Sequence, residues 1–231
     1  MLLKLSDIWV RYGHISAVCG VSLEVAPGEV VSVIGPNGAG KTSLLAGIMG
    51  LAPQTGSIVL DGVALERRNS SARSAAGIGY VPTGRGVFGT LSVKENIAVA
   101  CRGDFKRTWD RLTGWFPILA GKADALASQL SGGQRQMVSI ARAMASAPKV
   151  LLLDEVSMGL SPIAIGQVRE VVGILAREGV SIVLAEQNAS LAMAVSDRCM
   201  VLVRGETRLA GTPGELRNRP EVEALYLGRS I

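Results

Sequence analysis

A glycine-rich segment early in the chain has the residue types and spacing of a phosphate-binding loop, here named the P-loop. Its pattern is G-x-x-x-x-G-K-T, and its members are Gly35, Pro36, Asn37, Gly38, Ala39, Gly40, Lys41, Thr42 and Ser43. Glycines let main-chain N–H groups close around phosphate oxygens, and a helix N-terminus adds partial positive charge. Lys41 can reach the outer phosphates, and the Thr42 hydroxyl can hold Mg²⁺. The segment predicts a binding site for a nucleoside triphosphate.

Two acidic residues follow a continuous apolar stretch in the second half of the chain. The stretch is Val150 to Leu153, and Asp154 and Glu155 come directly after it. A parallel strand that is buried on both faces delivers its last residues to the edge of the sheet where ligands bind. We therefore expect Asp154 to hold the Mg²⁺ that Thr42 also contacts. We expect Glu155 to polarise the water that attacks the γ-phosphate.

A second potential anion site begins at Ser131, in a segment here named the signature segment. Its sequence is Leu130-Ser131-Gly132-Gly133-Gln134-Arg135-Gln136. A serine hydroxyl and two glycines at the start of a helical pattern form a second helix N-terminus that can bind an anion. One chain with two such termini indicates that two copies share each nucleotide.

Composition narrows the possible chemistry and partners. His14 is the only histidine, which excludes zinc sites built from several histidines and leaves one imidazole for any Ser-His-Asp triad. The net charge is +5, but the sequence contains no block of five or more basic residues. We therefore expect no nucleic-acid partner. No apolar run approaches the roughly 18 residues that span a bilayer, and the first residues lack a signal-peptide pattern. We expect a cytoplasmic chain.

Hydrophobic periodicity predicts the elements that position these residues. Val30 to Ile34 and Val180 to Leu184 have the pattern of buried strands, and strands early in the chain are expected to form an antiparallel edge beside the P-loop strand. From about Thr90 to Ala147 the sequence favours helices, and Ser92 with Glu95 forms a capping-box pattern.

The predicted fold class is therefore α/β. We expect a mainly parallel sheet with flanking helices, an antiparallel β edge and an inserted helical subdomain. A single domain covers residues 1–231, with the nucleotide-binding core at 1–82 and 148–231 and the helical subdomain at 83–147.

Together these segments resemble the ATP-binding subunit of an ABC transporter, and the resemblance extends over essentially the whole chain. It implies a P-loop NTPase core with ATP and Mg²⁺ as cofactors. It implies that Tyr12 stacks on the adenine, that Asp154 organises the Mg²⁺ and that Glu155 is the catalytic base. It implies that Ser131 to Gly133 contact the γ-phosphate of ATP bound to a second ATP-binding subunit, so that ATP holds a head-to-tail dimer together. The helical subdomain would receive a helix of the membrane-spanning permease subunits.

Narrower motifs resemble the importers of branched-chain amino acids. These motifs are Gly28-Glu29-Val30-Val31, Val81-Pro82-x-Gly84-Arg85, Phe88, Ser157-x-Gly159-Leu160-Ser161-Pro162, Glu186-Gln187-Asn188, Gly211-Thr212-x-Gly214-Glu215-Leu216 and Tyr226-Leu227-Gly228. In that branch two different ATP-binding subunits pair, and a periplasmic solute-binding protein delivers the solute. Relatives carry amides, urea and other small carbonyl compounds. The resemblance implies an ATPase that is peripheral on the inner face of the cell membrane.

Three residues depart from the family pattern. Gln187 has the place of a histidine that contacts the γ-phosphate in most ABC subunits, although the branched-chain branch shares this glutamine. Thr83 replaces the loop glutamine that is usual near this position, where the branched-chain branch commonly has glutamate, and Ser161 has the place of an aspartate. By position, we assign Gln187 to catalysis and Thr83 to the metal site. Because glutamine cannot exchange a proton as imidazole does, we hypothesise that this subunit hydrolyses ATP poorly without a different partner that carries the histidine.

Two alternatives stay open. A soluble ABC protein of DNA repair, translation or cluster assembly would share these motifs, but such proteins commonly carry coiled-coil or duplicated-cassette additions that this sequence lacks. A P-loop kinase would need an acceptor site and a lid, and the signature segment argues against it.

Overall fold

The computed structural model describes residues 1–84, 86–217, 219 and 222. Two of the motifs above reach beyond this part, because Arg85 and the segment Tyr226 to Gly228 lie outside the described residues. In chain order, the strands are β1 Leu3–Tyr12, β2 Ile15–Val25, β3 Val30–Ile34, β4 Gln54–Leu60, β5 Val63–Ala64, β6 Ile78–Val81, β7 Val150–Asp154, β8 Ser181–Glu186, β9 Arg198–Val203 and β10 Glu206–Gly211.

The larger sheet has six strands in the order β10-β9-β3-β8-β7-β6. Neighbouring strands run parallel, except that β10 is antiparallel to β9. All five residues of β3 are buried, as expected for a strand covered on both faces. The P-loop therefore leaves the middle of a mainly parallel sheet, and the predicted α/β class is confirmed.

The remaining strands form a separate antiparallel sheet in the order β2-β1-β4-β5. The expectation that they lie as an edge beside the P-loop strand is corrected, because β8 and β9 occupy both sides of β3. Strand β6, which also precedes the helical region in the chain, belongs to the larger sheet, where it pairs with β7. Hydrophobic alternation identifies a strand, but tertiary contacts decide which strand it pairs with.

Helices cover the larger sheet and fill the predicted helical region. They are α1 Lys41–Met49, α2 Ser70–Ala76, α3 Val93–Ala98, α4 Phe105–Trp115, α5 Pro117–Gly121, α6 Gly132–Met144, α7 Pro162–Arg177, α8 Ala189–Val195 and α9 Pro213–Leu216. The chain forms α3 to α6 between β6 and β7. The predicted capping box is present, because Ser92 and Glu95 exchange side-chain and main-chain hydrogen bonds at the start of α3. The domain boundaries at 82 and 148 stay a prediction.

Alternating side chains of β7 belong to two different cores. Leu151 and Leu153 pack in a cluster shared with α3, α6 and α7. Val150 and Leu152 pack in a second cluster that both sheets share with α1. Since burying one such side chain contributes about 1.5–3 kcal/mol, the two cores together hold β7 firmly. Asp154, the last residue of β7, is thereby fixed where the parallel strands of the sheet have their carboxyl ends.

Candidate nucleotide-binding site

The backbone of the P-loop packs too closely against neighbouring segments for side chains at two of its glycines. A Cβ atom at Gly40 would lie 2.2 Å from the carbonyl oxygen of Ala17. A Cβ atom at Gly35 would lie 2.3 Å from the carbonyl oxygen of Leu202. Gly38 and Gly40 also have φ angles of 78° and 104°, in the left-handed region that favours glycine. The loop shape therefore depends on glycine at these positions.

Lys41, the first residue of α1, is only 3% exposed. Its Nζ donates to the carbonyl oxygens of Gly35 (2.8 Å) and Pro36 (3.0 Å). The same Nζ lies 3.0 Å from Oε1 of Glu155. These acceptors satisfy a buried ammonium group that would otherwise be costly.

Thr42 and Asp154 meet at the end of β7. Thr42 Oγ1 donates to Oδ1 of Asp154 over 3.0 Å, and Asp154 is 1% exposed. Burial raises the pKa of Asp154, while hydrogen bonds from Thr42 and Tyr80 partly oppose the rise. A hydroxyl and a carboxylate fit Mg²⁺, which takes oxygen ligands and keeps several waters. On the chemistry of their oxygen atoms, Thr42 and Asp154 are the residues we expect to hold Mg²⁺. The described residues contain no group of three or more His, Cys, Asp or Glu that could hold a metal ion.

Glu155 has an unusual backbone conformation. Its φ angle is 47°, in the left-handed region that non-glycine residues seldom adopt. The main-chain N–H of Glu155 donates to the carbonyl oxygen of Ala185 in β8 over 2.8 Å, which holds the turn in place. The carboxylate is 13% exposed and faces Lys41. The chain thus brings the predicted base next to the predicted phosphate-binding lysine.

Two further residues of this region, Tyr80 and Glu186, were given no role in the site by the sequence analysis. Tyr80 donates its hydroxyl hydrogen to Oδ2 of Asp154 over 3.2 Å. Glu186 is 1% exposed and accepts hydrogen bonds from the main-chain N (3.0 Å) and Oγ (2.7 Å) of Ser157. Burial raises the pKa of Glu186, and the bonds from Ser157 partly oppose this rise. A glutamate directly after a buried apolar strand is a signal that could have found Glu186; the sequence holds no comparable signal for Tyr80.

The signature segment has the predicted form of a helix N-terminus. Ser131 caps α6, and its Oγ accepts from the main-chain N of Gln134 over 3.3 Å. Ser131 and Gly132 are exposed, whereas Gly133 is buried. A Cβ atom at Gly133 would lie 2.7 Å from the Cβ of Ala164 in α7. Gly133 therefore allows α6 and α7 to pack closely, and Ser131 and Gly132 present the helix end to solvent.

Replacing Gly133 by Ala is expected to destabilise the fold by about 1–3 kcal/mol, because the added methyl group overpacks the contact between α6 and α7. Gly132→Ala is the matched control, since its Cβ would lie 3.7 Å from the nearest atom, in Leu160. Urea unfolding measures both free energies. Equal stability of the two variants would contradict the packing role of Gly133.

The chain is similar in sequence and in fold to known proteins. The sequence profile of the family described as ABC transporter matches residues 18–158. The chain is 41% identical over 233 residues to the high-affinity branched-chain amino acid transport ATP-binding protein BraG of Pseudomonas aeruginosa, covering 98% of this chain and 100% of BraG. The chain belongs to the ABC transporter family.

Other members of the ABC family resemble it along the whole chain. The lipopolysaccharide export system ATP-binding protein LptB of Haemophilus influenzae is 33% identical over 238 residues, covering 100% of this chain and 98% of LptB. The structure of the ADP conformation of MJ1267, an ATP-binding cassette of an ABC transporter, superposes with a TM-score of 0.88 at 23% identity and covers 99% of both chains. The latter likeness shows a shared fold. As an ABC cassette, the chain binds and hydrolyses ATP.

Two of the other predicted residues of this ABC cassette follow the carboxyl ends of strands β6 and β8, and the third lies at the end of β1. Thr83 Oγ1 donates to the main-chain oxygen of Asp154 over 3.2 Å. Gln187 directly follows β8 and is exposed. Tyr12 ends β1 and is 48% exposed. Their roles in metal binding, catalysis and adenine stacking stay predictions. In the described part of the cassette, no helix is both long and apolar enough to cross a membrane.

Proposed function

We propose that this ABC ATPase powers the uptake of branched-chain amino acids or of a related small amide or urea-type solute. The observation that carries the proposal is the 41% identity to BraG over the full length of both chains, which exceeds the 33% identity to the export subunit LptB. The motifs around Ser157 and Gln187 favour the same branch. The soluble, non-transport ABC ATPase is the alternative that the experiment below must exclude.

Hydrolysis would begin when ATP replaces the resting contacts of Lys41. The P-loop N–H groups bind the phosphates, and the Lys41 ammonium group neutralises the charge of their outer oxygens. Glu155, freed from Lys41, orients the attacking water and accepts its proton at a carboxylate oxygen. Thr42 and Asp154 would hold Mg²⁺, which supplies charge neutralisation to the phosphates when bound.

A second ATP-binding subunit would complete the site. The exposed hydroxyl of Ser131 and the exposed N-terminus of α6 carry hydrogen-bond donors and partial positive charge that suit a phosphate. We propose that Ser131 to Gly133 bind the γ-phosphate of ATP held by the P-loop of the facing subunit. The pairing would be head to tail, and the partner would be a different subunit.

A groove on the surface could bind a helix of the membrane-spanning subunit. This docking groove has a volume of about 580 Å³ and lies between the end of α1, α2, β6 and the helices after it. Its lining includes the exposed apolar side chains of Leu51, Phe88 and Val99. Arg142 lies 4.7 Å above the ring of Phe88, and no described lining residue is acidic. We propose that a permease helix with apolar and acidic side chains binds here, which would hold the cassette on the inner face of the membrane.

Reconstitution tests the proposed transport. The tagged chain is purified from detergent-solubilised membranes with its permease subunits, placed in proteoliposomes, and supplied with the solute-binding protein. We expect ATP-driven accumulation of radiolabelled leucine, of urea or of a short amide. The same complex with Glu155→Gln is the matched control and should accumulate nothing. Recovery of the active ATPase from the soluble fraction alone, with no ATP-dependent uptake, would contradict the proposal and support the soluble alternative.

Gln187 gives a prediction for the isolated subunit. Because an amide cannot exchange a proton as imidazole does, the purified chain is expected to hydrolyse ATP more slowly than the complete transporter. Gln187→His is expected to raise the rate of the isolated chain by about tenfold, measured as phosphate release. Gln187→Asn keeps the amide and should show no gain. Equal rates for the isolated chain and the complete transporter would refute the hypothesis of an unequal subunit.

A further inference from the structure

Tyr80 contacts both Asp154 and the docking groove. Its hydroxyl reaches Oδ2 of Asp154 over 3.2 Å, and the residue also lines the docking groove. It is partly buried and packs against the core that both sheets share. Tyr80 thus joins the surface proposed for the permease to the carboxylate proposed for Mg²⁺.

The two oxygens of the Asp154 carboxylate are held by two different parts of the chain. Thr42, from the P-loop, donates to Oδ1 over 3.0 Å. Tyr80, from β6, donates to Oδ2. Because Asp154 is 1% exposed, few water molecules can replace either donor. The rotation of the carboxylate therefore depends on where Thr42 and Tyr80 lie.

The hydroxyl of Tyr80 is well suited to remain a donor. A tyrosine hydroxyl is protonated at neutral pH and can donate a hydrogen bond. At 3.2 Å from Oδ2 it can stabilise the ionised form of Asp154, which is the form that attracts a cation.

The position of Tyr80 can respond to the docking groove. It lies in β6, which is an edge strand of the larger sheet and pairs with β7 alone. An edge strand has main-chain hydrogen bonds on one side only, so it is less constrained than β7 or β8. A side chain that enters the groove meets Tyr80 together with neighbours such as Met49 and Ser74.

We propose that Tyr80 is a positioning residue that orients Asp154 for Mg²⁺ and makes this orientation depend on what fills the docking groove. The inference rests on the proposed function, because it takes Asp154 as a metal-holding residue and the groove as the permease site. Its physical basis is one hydroxyl-to-carboxylate hydrogen bond between an edge strand and the end of β7.

Binding of Mn²⁺ to the full-length chain, loaded with a non-hydrolysable ATP analogue, tests the first part. Electron paramagnetic resonance measures free Mn²⁺ directly and needs no turnover. Tyr80→Phe keeps the ring and removes the hydroxyl, so we expect its Kd for Mn²⁺ to rise about tenfold, as for the loss of a hydrogen bond to a charged group. The affinity for the nucleotide in EDTA should stay within about twofold, because Tyr80 donates its hydrogen bond to Asp154 and not to a P-loop residue.

A groove-filling variant tests the second part. Ser74→Trp places an indole in the docking groove, and we expect it to change the Kd for Mn²⁺ by about threefold or more when Tyr80 is present. The same substitution in the Tyr80→Phe background should change it by less than about 1.5-fold, because the link to Asp154 is lost. Circular dichroism and urea unfolding confirm that each variant is folded.

The results separate this inference from the proposed metal site. Asp154→Asn must weaken Mn²⁺ binding if the site is correct; an unchanged Kd there overturns both proposals. If Asp154→Asn weakens binding but Tyr80→Phe does not, only the role of Tyr80 is overturned. If Ser74→Trp has the same effect in both backgrounds, Tyr80 does not transmit the state of the groove, and the inference is likewise overturned.

Discussion

Glu155→Gln is expected to slow ATP hydrolysis by about three orders of magnitude while ATP stays bound, because a positioned general base contributes about 10²–10⁴-fold. The carboxylate lies 3.0 Å from Lys41 Nζ and is 13% exposed, so it is close to the phosphate-binding group and still open to water. An amide has nearly the same shape but cannot accept the proton. The substitution also removes the ion pair that ATP must displace, so nucleotide binding should not weaken.

Phosphate release and equilibrium binding of ATP separate these two effects for Glu155→Gln. The variant should bind ATP at least as tightly as the wild type and accumulate an ATP-loaded dimer in the assembled transporter. Glu170→Gln is the control, because Glu170 is an exposed carboxylate of α7. An unchanged hydrolysis rate in Glu155→Gln would remove Glu155 from the role of base.

Lys41→Ala is expected to weaken ATP binding by about 100-fold, in the range found when one member of a buried, hydrogen-bonded charge pair is truncated. The ammonium group is 3% exposed and has Gly35, Pro36 and Glu155 as acceptors. Without it, the outer phosphates lose their buried cation, and Glu155 faces them with uncompensated negative charge. Hydrolysis then fails for lack of bound substrate, unlike in Glu155→Gln.

Titration calorimetry with ATP measures the effect at Lys41. Lys149→Ala is the matched control, because Lys149 pairs with Asp61 at the surface and its side chain is 49% exposed. Lys41→Arg keeps the charge but has a larger planar group, so it should restore only part of the affinity. An ATP affinity of Lys41→Ala equal to that of the wild type would contradict the phosphate-binding role of Lys41.

Local sequence patterns were sufficient for much of the fold. The strand Val30 to Ile34 has the predicted bounds, because an apolar run between glycine-containing segments marks both ends. The P-loop joins β3 to α1 as expected, since the glycine pattern and its flanking elements are contiguous in the chain. Asp154 also lies at the end of its predicted strand.

Contacts between distant segments could not be derived in the same way. Tyr80 bonds to Asp154 across 74 residues of sequence, and Glu186 bonds to Ser157 across 29. Both contacts depend on the pairing of β6, β7 and β8, which one sequence does not encode in any local pattern. The separate antiparallel sheet was missed for the same reason. Gly133 was assigned to phosphate binding, whereas only the packing against Ala164 reveals its structural role.

We propose that the P-loop is half of a nucleotide site and that Ser131 to Gly133 of a facing subunit supply the other half. Incorporation of a photo-crosslinking amino acid at Ser131, in the Glu155→Gln background of the membrane-bound transporter, tests this pairing. Mass spectrometry of the crosslinked peptides then identifies the facing segment. We expect a crosslink that forms only with ATP and joins Ser131 to a G-x-x-x-x-G-K-[ST] peptide of a second ATP-binding subunit. A crosslink that is independent of ATP, or that joins Ser131 to any other segment, would contradict it.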